Sequence, residues 1–175
     1  MNLCLNTVIR NKQKPREIIV RLKHWIKLIF WIALFQLIGF LLGILTQANL
    51  HPWYESLHKS SLTPPGVVFS IAWAVLYILL ALIAWILSNQ DKESFKPVKY
   101  LFALQMLMNW TWTMLFFQFH WLAFSAAWLI VLTFINCILM VNGMNKHKIV
   151  GLLLIPYVLW LMFASYLNLF IALTN

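Results

Sequence analysis

Five long apolar runs dominate the chain, at 28–45, 67–87, 100–117, 122–141 and 149–173, and none contains an Asp, Glu, Lys or Arg. A bilayer core of about 30 Å is crossed by about 20 mostly apolar residues in a helix, so each run predicts one span. Strands of a membrane barrel would alternate in polarity over about ten residues, and these runs do not. The pattern predicts an all-α integral membrane protein, a five-transmembrane-helix bundle. Composition agrees, with 63% hydrophobic and 10% charged residues against roughly a quarter charged in a soluble domain.

The excluded charges mark the two faces. Arg10, Lys12, Lys14, Arg16, Arg21, Lys23 and Lys27 precede the first run, Lys92, Lys96 and Lys99 lie in the second connection, and Lys146 and Lys148 lie in the fourth. The opposite side holds only Lys59. Basic residues accumulate on the cytoplasmic side, so the N-terminus is expected there, with the first loop and the C-terminus on the opposite face. Residues 1–24, interrupted by Pro15, read as a basic cytoplasmic N-terminal tail, and 25–175 as the membrane domain. The net charge of +9 is accounted for by this topology and by anionic lipid headgroups, so membrane lipid is the expected partner and nucleic acid is not. Thr46-Gln47-Ala48 faintly resembles a cleavage site, but the basic lead and the apolar run are too long for a secretory signal. Cys4 and Cys137 fall in the tail and in a span, so neither a disulfide nor a metal motif is expected.

Within the spans, polar and aromatic residues recur at helical spacing. Gln105, Asn109, Trp112 and Phe116 share a face of the third run, Tyr157, Trp160, Ala164 and Asn168 a face of the fifth, and Phe69, Trp73, Tyr77 and Leu80 a face of the second. Amides in hydrocarbon require partners, so Gln105 and Asn109 should point into the bundle. Interhelical hydrogen bonds alone, at roughly 0.6–2 kcal/mol each, would account for any one stripe. Three stripes that turn polar-tipped aromatics inward suggest a cavity, because rigid indoles fill a bundle interior less easily than Leu or Ala. The first run carries Gln36, Phe40, Gly43 and Gln47 on one face. Its Gly39-x-x-x-Gly43 pair admits close helix approach or dimerisation.

No catalytic constellation can be assembled: there is no phosphate loop, paired carboxylate, Ser-His-Asp set or His-Cys cluster. His51 and His58 read as solvated loop side chains. Ion pumping is disfavoured because no ionisable acid or base lies within a run. The polar stretch 52–65, PWYESLHKSSLTPP, is too rich in aromatic and polar groups for turn chemistry alone, and its Pro-Pro suits the start of a helix. It reads as a lid.

Trp53-Tyr54-x-x-Leu57-x-Lys59, Pro64-Pro65, Phe69, Trp73 and Leu76-Tyr77 resemble the first loop and second helix of the translocator protein family, also called tryptophan-rich sensory proteins. Asn109-x-x-Trp112-Thr113-x-x-Phe116-Phe117 is similar to its third-helix block, and Pro156-Tyr157-x-x-Trp160-x-x-x-Ala164-x-x-Leu167-Asn168 to its fifth. The resemblance implies a five-helix bundle, often dimeric, with a cavity opening toward the first loop. It implies no required cofactor, but a ligand: porphyrins and haem-like tetrapyrroles, and in some members sterols or synthetic benzodiazepine-type compounds. Roles proposed for the family include tetrapyrrole transport, stress sensing and light-dependent porphyrin breakdown. By this carry-over Trp73, Asn109, Trp112, Trp160 and Ala164 line the cavity with Tyr54 and Glu55 above it, and Asn109 with the loop could fix propionate-like groups. Trp73 and Trp160 are the candidates for a photochemical step.

The departures from the family pattern are Ser60 for a proline, Leu62 and Val67 for two tryptophans, and Gln118 for the glycine after Phe-Phe. The proposed sterol motif after Asn168 is absent, which discounts sterol binding. Three functions stay open: a receptor or transporter of flat hydrophobic ligands, a porphyrin-degrading photoenzyme, and a ligand-free structural or regulatory membrane protein.

Overall fold

The computed structural model describes side chains from Arg21 to Asn175; the basic segment up to residue 20, with Cys4, lies outside the described residues. Five main helices form the bundle: α1 (Asn2–Ala48, described from Arg21), α2 (Gly66–Ser88), α3 (Lys96–Thr113), α4 (Leu122–Lys146) and α5 (Lys148–Thr174). Arg21–Ala48, α2, α4 and α5 are each long and apolar enough to cross a membrane. With 18 residues, α3 rises only about 27 Å, and Gln105 and Asn109 lower its hydropathy. A wide helical turn at Met114–Gln118 extends it.

The third run therefore does not end as a regular helix at 117. Phe119 N donates to Met114 O and Trp121 N to Leu115 O, both at 3.0 Å, which widens the last turn. The left-handed residue that closes it is His120 (φ 56°), two positions beyond Gln118. Histidine is among the side chains that tolerate this region best, and its ring stacks on Trp53 with centroids 3.8 Å apart.

Large apolar side chains such as Ile71, Phe134 and Leu159 are exposed, as suits a surface that faces lipid. The core holds Leu80, Ile83, Leu129, Leu132, Leu139, Leu154 and Leu161. α4 and α5 meet most closely, joined through His147 alone, and glycines permit it: a Cβ on Gly151 would lie 2.6 Å from Met144 N, and one on Gly143 3.0 Å from Gly151 N.

α1 is peripheral, with 6% of its apolar window buried against 33–39% for α2, α4 and α5. It is pinned to α2 at one end. There Lys27 Nζ donates to Ser88 O (2.9 Å) and Asn89 Oδ1 (3.0 Å), Trp31 Nε1 to Ser88 Oγ (3.3 Å) and Trp85 Nε1 to His24 O (3.2 Å). Midway, Phe35 is buried and Gly39 receives the Tyr77 ring, whose nearest atom would be 2.7 Å from an added Cβ. One turn on, nothing lies within 4 Å of a Cβ at Gly43. The glycine pair thus packs against α2 at Gly39, and at Gly43, which is exposed, α1 borders the space beyond.

Candidate functional site

The space that opens beyond Gly39 is a cavity of about 1390 Å³ beneath the first connection. α1 supplies Gln36, Phe40, Gly43 and Gln47, and α2 supplies Phe69, Trp73 and Tyr77. α3 with its wide turn adds Asn109, Trp112, Thr113 and Phe116, and α5 adds Ala164 and Asn168. Tyr54, Glu55, Lys59, Ser60 and Thr63 face it from the connection.

Aromatic packing shapes the walls. Trp112 stacks on Phe116 at 5.6 Å, and Trp73 tilts against Tyr77 at 5.8 Å. Trp160 meets Phe69 edge-on at 5.4 Å and Trp73 at 6.5 Å with the planes at 86°. It therefore buttresses Phe69 and Trp73 from behind, and is not on the lining where the carry-over put it.

Gln105 and Tyr157 also stand behind the lining, both fully buried. The Tyr77 hydroxyl donates to Asn109 Oδ1 (3.1 Å), Asn109 Nδ2 to Tyr157 Oη (2.9 Å), and the Tyr157 hydroxyl to Gln105 Oε1 (3.1 Å). This chain ties α2, α3 and α5 together at the cavity floor. Both amide atoms of Asn109 are engaged in it, while the residue also lines the cavity. Asn168 is likewise paired, with Ser125 Oγ at 3.2 Å.

The lid is built from its own hydrogen bonds. The chain from Leu50 to Tyr54 kinks at His51, whose backbone is extended (φ −108°, ψ 134°), and Lys59 Nζ closes the following turn by donating to the carbonyls of Tyr54 (2.8 Å), Glu55 (3.1 Å) and Leu57 (3.2 Å). The ammonium also lies 4.9 Å from the Tyr54 ring centroid, a cation–π contact. Burial raises the Tyr54 phenol above its ordinary pKa. Pro65 precedes the first turn of α2, its carbonyl accepting from Val68 N at 2.9 Å.

Two latches hold the lid to α5. Ser60 Oγ and Tyr166 Oη are 2.9 Å apart. His58 N donates to Asn175 Oδ1 (2.8 Å), while Asn175 Nδ2 (3.1 Å) and Thr174 Oγ1 (3.2 Å) donate to His58 O. His58 thus acts through its backbone, and His51 Nδ1 lies 2.7 Å from Glu55 Oε2. Both side chains are exposed, as expected of loop histidines. Among the described residues, no three His, Cys, Asp or Glu side chains converge as a metal site would need.

The motif blocks read from the sequence thus meet around one cavity. A family model described as TspO/MBR matches residues 31–173. The chain belongs to the TspO/MBR family. It is 33% identical over 150 residues to the tryptophan-rich protein TspO of Archaeoglobus fulgidus, covering 86% of this chain and 97% of that one. Identity is 37% over 120 residues to the protein of the same description from Bacillus cereus (66% and 76% covered), and 28% over 151 residues to the translocator protein of Bos taurus (82% and 87%).

Against the TspO/MBR pattern, Ser60 stands out: it is buried and latches the lid, so its replacement of a proline supplies a polar tie. Leu62 and Val67 are 61% and 70% exposed, leaving the mouth without the indoles that the pattern usually has there. The sequence reading did not single out Thr63, Thr113, Tyr166 or Asn175. Thr113 stood within a quoted motif, whereas Tyr166 and Asn175 carried no local signal.

Proposed function

We propose that this TspO/MBR membrane protein binds a tetrapyrrole or a similarly flat, hydrophobic molecule in the cavity beneath the lid, acting as a receptor or carrier. The observation that carries this reading is a cavity of about 1390 Å³ walled by Phe69, Trp73, Tyr77, Trp112 and Phe116. Pockets for drug-sized ligands are usually about 300–1,000 Å³, so this one suits a larger body such as a macrocycle. Its aromatic walls favour a flat π-system, and edge or stacked contacts each contribute about 0.5–1.5 kcal/mol beyond burial.

The basic end, where Lys27 and Lys146 bond the second connection, faces the cytoplasm in this proposal, and the lid faces the other side. Thiol labelling of Cys4 from outside intact cells should fail; labelling there would reverse the orientation. Ligand binding is tested by titrating the purified protein with protoporphyrin in the dark while following tryptophan fluorescence. Saturable quenching, weakened about three- to tenfold in Trp73→Phe, is expected. Absence of saturation would remove the tetrapyrrole reading.

A second reading has a geometric basis in the Trp73–Trp160 contact, an indole on the cavity wall met edge-on by a second that does not line it. Light-dependent loss of a bound porphyrin's spectrum, abolished in Trp73→Phe, would support a photoenzyme. A spectrum stable under illumination would leave binding alone.

A further inference from the structure

The geometry points to a defined site for an anionic phospholipid in the groove between α1 and the C-terminal end of α2, with the lipid phosphate on Arg21 and an acyl chain beside Trp25 and Trp85. The site lies at the opposite end of the bundle from the lid and does not depend on what the cavity beneath the lid binds.

Arg21, His24, Trp25 and Leu28 recur at i, i+3, i+4 and i+7, so they share one face of α1. With Trp85 of α2 they line a pocket of about 330 Å³. Trp85 Nε1 donates to His24 O at 3.2 Å, which fixes that indole against α1. Trp25 is 63% exposed, an aromatic flank that the protein itself leaves uncovered.

The groove runs from charge to hydrocarbon. From Arg21 to Leu28 the helix rises about 10 Å, whereas the headgroup layer on each side of a bilayer core is about 5–8 Å deep. Arg21 therefore stands at the level of the phosphates when Leu28, the first residue of the apolar run, stands at the edge of the hydrocarbon. Trp25 and Trp85 fall between, at the depth that indoles favour.

Charge decides which lipid fits. The Arg21 guanidinium presents a planar fork that matches phosphate oxygens, and His24 adds a ring N–H donor in either protonation state. Lys27 is committed elsewhere, its ammonium bonded to Ser88 O and Asn89 Oδ1. Among the described residues the ion pairs are His51–Glu55 and Lys96–Glu93, so none of them occupies Arg21. No acidic side chain lines the groove. A zwitterionic lipid would bring a quaternary ammonium to this basic end without an acidic partner, whereas an anionic headgroup such as a phosphoglycerol brings no such cation. Diffuse attraction by a basic flank is indifferent to which basic residue supplies the charge; a site built on Arg21 is not.

The experiment titrates the full chain, in non-ionic detergent micelles at 0.15 M salt, with phosphatidylglycerol brominated on its acyl chains and with phosphatidylcholine brominated identically, following tryptophan quenching. Phosphatidylcholine is expected to give only collisional quenching that grows with its mole fraction. Phosphatidylglycerol should add a saturable component, whose amplitude falls in Trp25→Phe because one of the quenched indoles is gone. Arg21→Gln should weaken that component at least about fivefold. Lys23→Gln, two residues on and outside the groove, should shift it less than about twofold, since salt screens charges that make no direct contact. Thermal unfolding of each variant confirms an intact fold. Equal quenching by the two lipids, or an amplitude unmoved in Trp25→Phe, overturns the site. Equal losses in Arg21→Gln and Lys23→Gln also overturn it, and leave only the general attraction of a basic flank.

Discussion

In the α4–α5 pair, both glycines are closed over: a Cβ on Gly151 or Gly143 would come within 2.6–3.0 Å of neighbouring backbone. In the α1–α2 pair the first glycine, Gly39, is closed over by the Tyr77 ring, and the second, Gly43, meets nothing within 4 Å. The same small-residue device therefore builds a sealed seam in one half of the bundle and a cavity wall in the other. What differs is the connection. α4 and α5 are joined through His147 alone and cannot splay, whereas the 49–65 connection lets α1 and α2 part above Gly39.

The largest effect should come from breaking the sealed seam. Gly151→Ala forces a Cβ against the Met144 backbone, which cannot move away as a side-chain tip could. A loss of about 2–3 kcal/mol is expected, read as a lowered midpoint of thermal unfolding in detergent. Little change would show that the seam is looser than its spacing implies.

Next comes the floor, where the sealed half supports the open one. Asn109→Leu leaves the buried Tyr77 hydroxyl without its acceptor and Tyr157 Oη without its donor, at about 1–3 kcal/mol. Stability and ligand affinity should fall together, because Tyr77 lines the cavity while Tyr157 and Gln105 lie behind it. If affinity fell and stability did not, the chain of bonds would be ornamental to the core.

Much of this contrast was legible in the chain and part of it was not, for identifiable reasons. The five helices follow from uncharged apolar runs, a signal that no tertiary contact can reverse in hydrocarbon. Helical spacing also puts Phe69, Trp73 and Tyr77 on one face, and Asn109, Trp112 and Phe116 on another, as observed around the cavity. Spacing gives a face but no depth. Gln105 shares its face with Asn109 yet lies below the floor, and Trp160 shares its face with Ala164 yet stands behind Trp73. The lid was recognisable by its composition, but its ties to Tyr166 and Asn175 span 106 and 117 residues, and no local pattern reports a hydrogen bond of that range. Ser60 read as a lost proline for the same reason.

The open half can be probed by filling it. Gly43→Leu places a side chain in the cavity instead of against a neighbour. Stability should hold or rise by about 0.5–1 kcal/mol, since leucine is the better helix former. Porphyrin affinity, measured by quenching, should drop about tenfold as the ring loses wall contact. A destabilised Gly43→Leu would mean that α1 and α2 close in solution, and the contrast with Gly151 would vanish.

The smallest expected effect concerns what replaces packing where packing is absent. The lid is held partly by Ser60 Oγ and Tyr166 Oη at 2.9 Å, and Ser60 is buried although Tyr166 is 44% exposed. One neutral hydrogen bond contributes about 0.5–1.5 kcal/mol, so Ser60→Ala and Tyr166→Phe should each cost about that much, and the double variant no more than Ser60→Ala alone. The Ser60 hydroxyl also accepts from Leu62 N at 3.2 Å, so Ser60→Ala should be the costlier of the two. Because the latch lies at the mouth, its loss should speed porphyrin release more than it lowers the unfolding midpoint. Stopped-flow dissociation of the bound porphyrin measures the first and thermal unfolding the second. Equal effects on both would place the latch with the core, whereas a selective rise in the off-rate would mark the lid as the part of the open half that governs access.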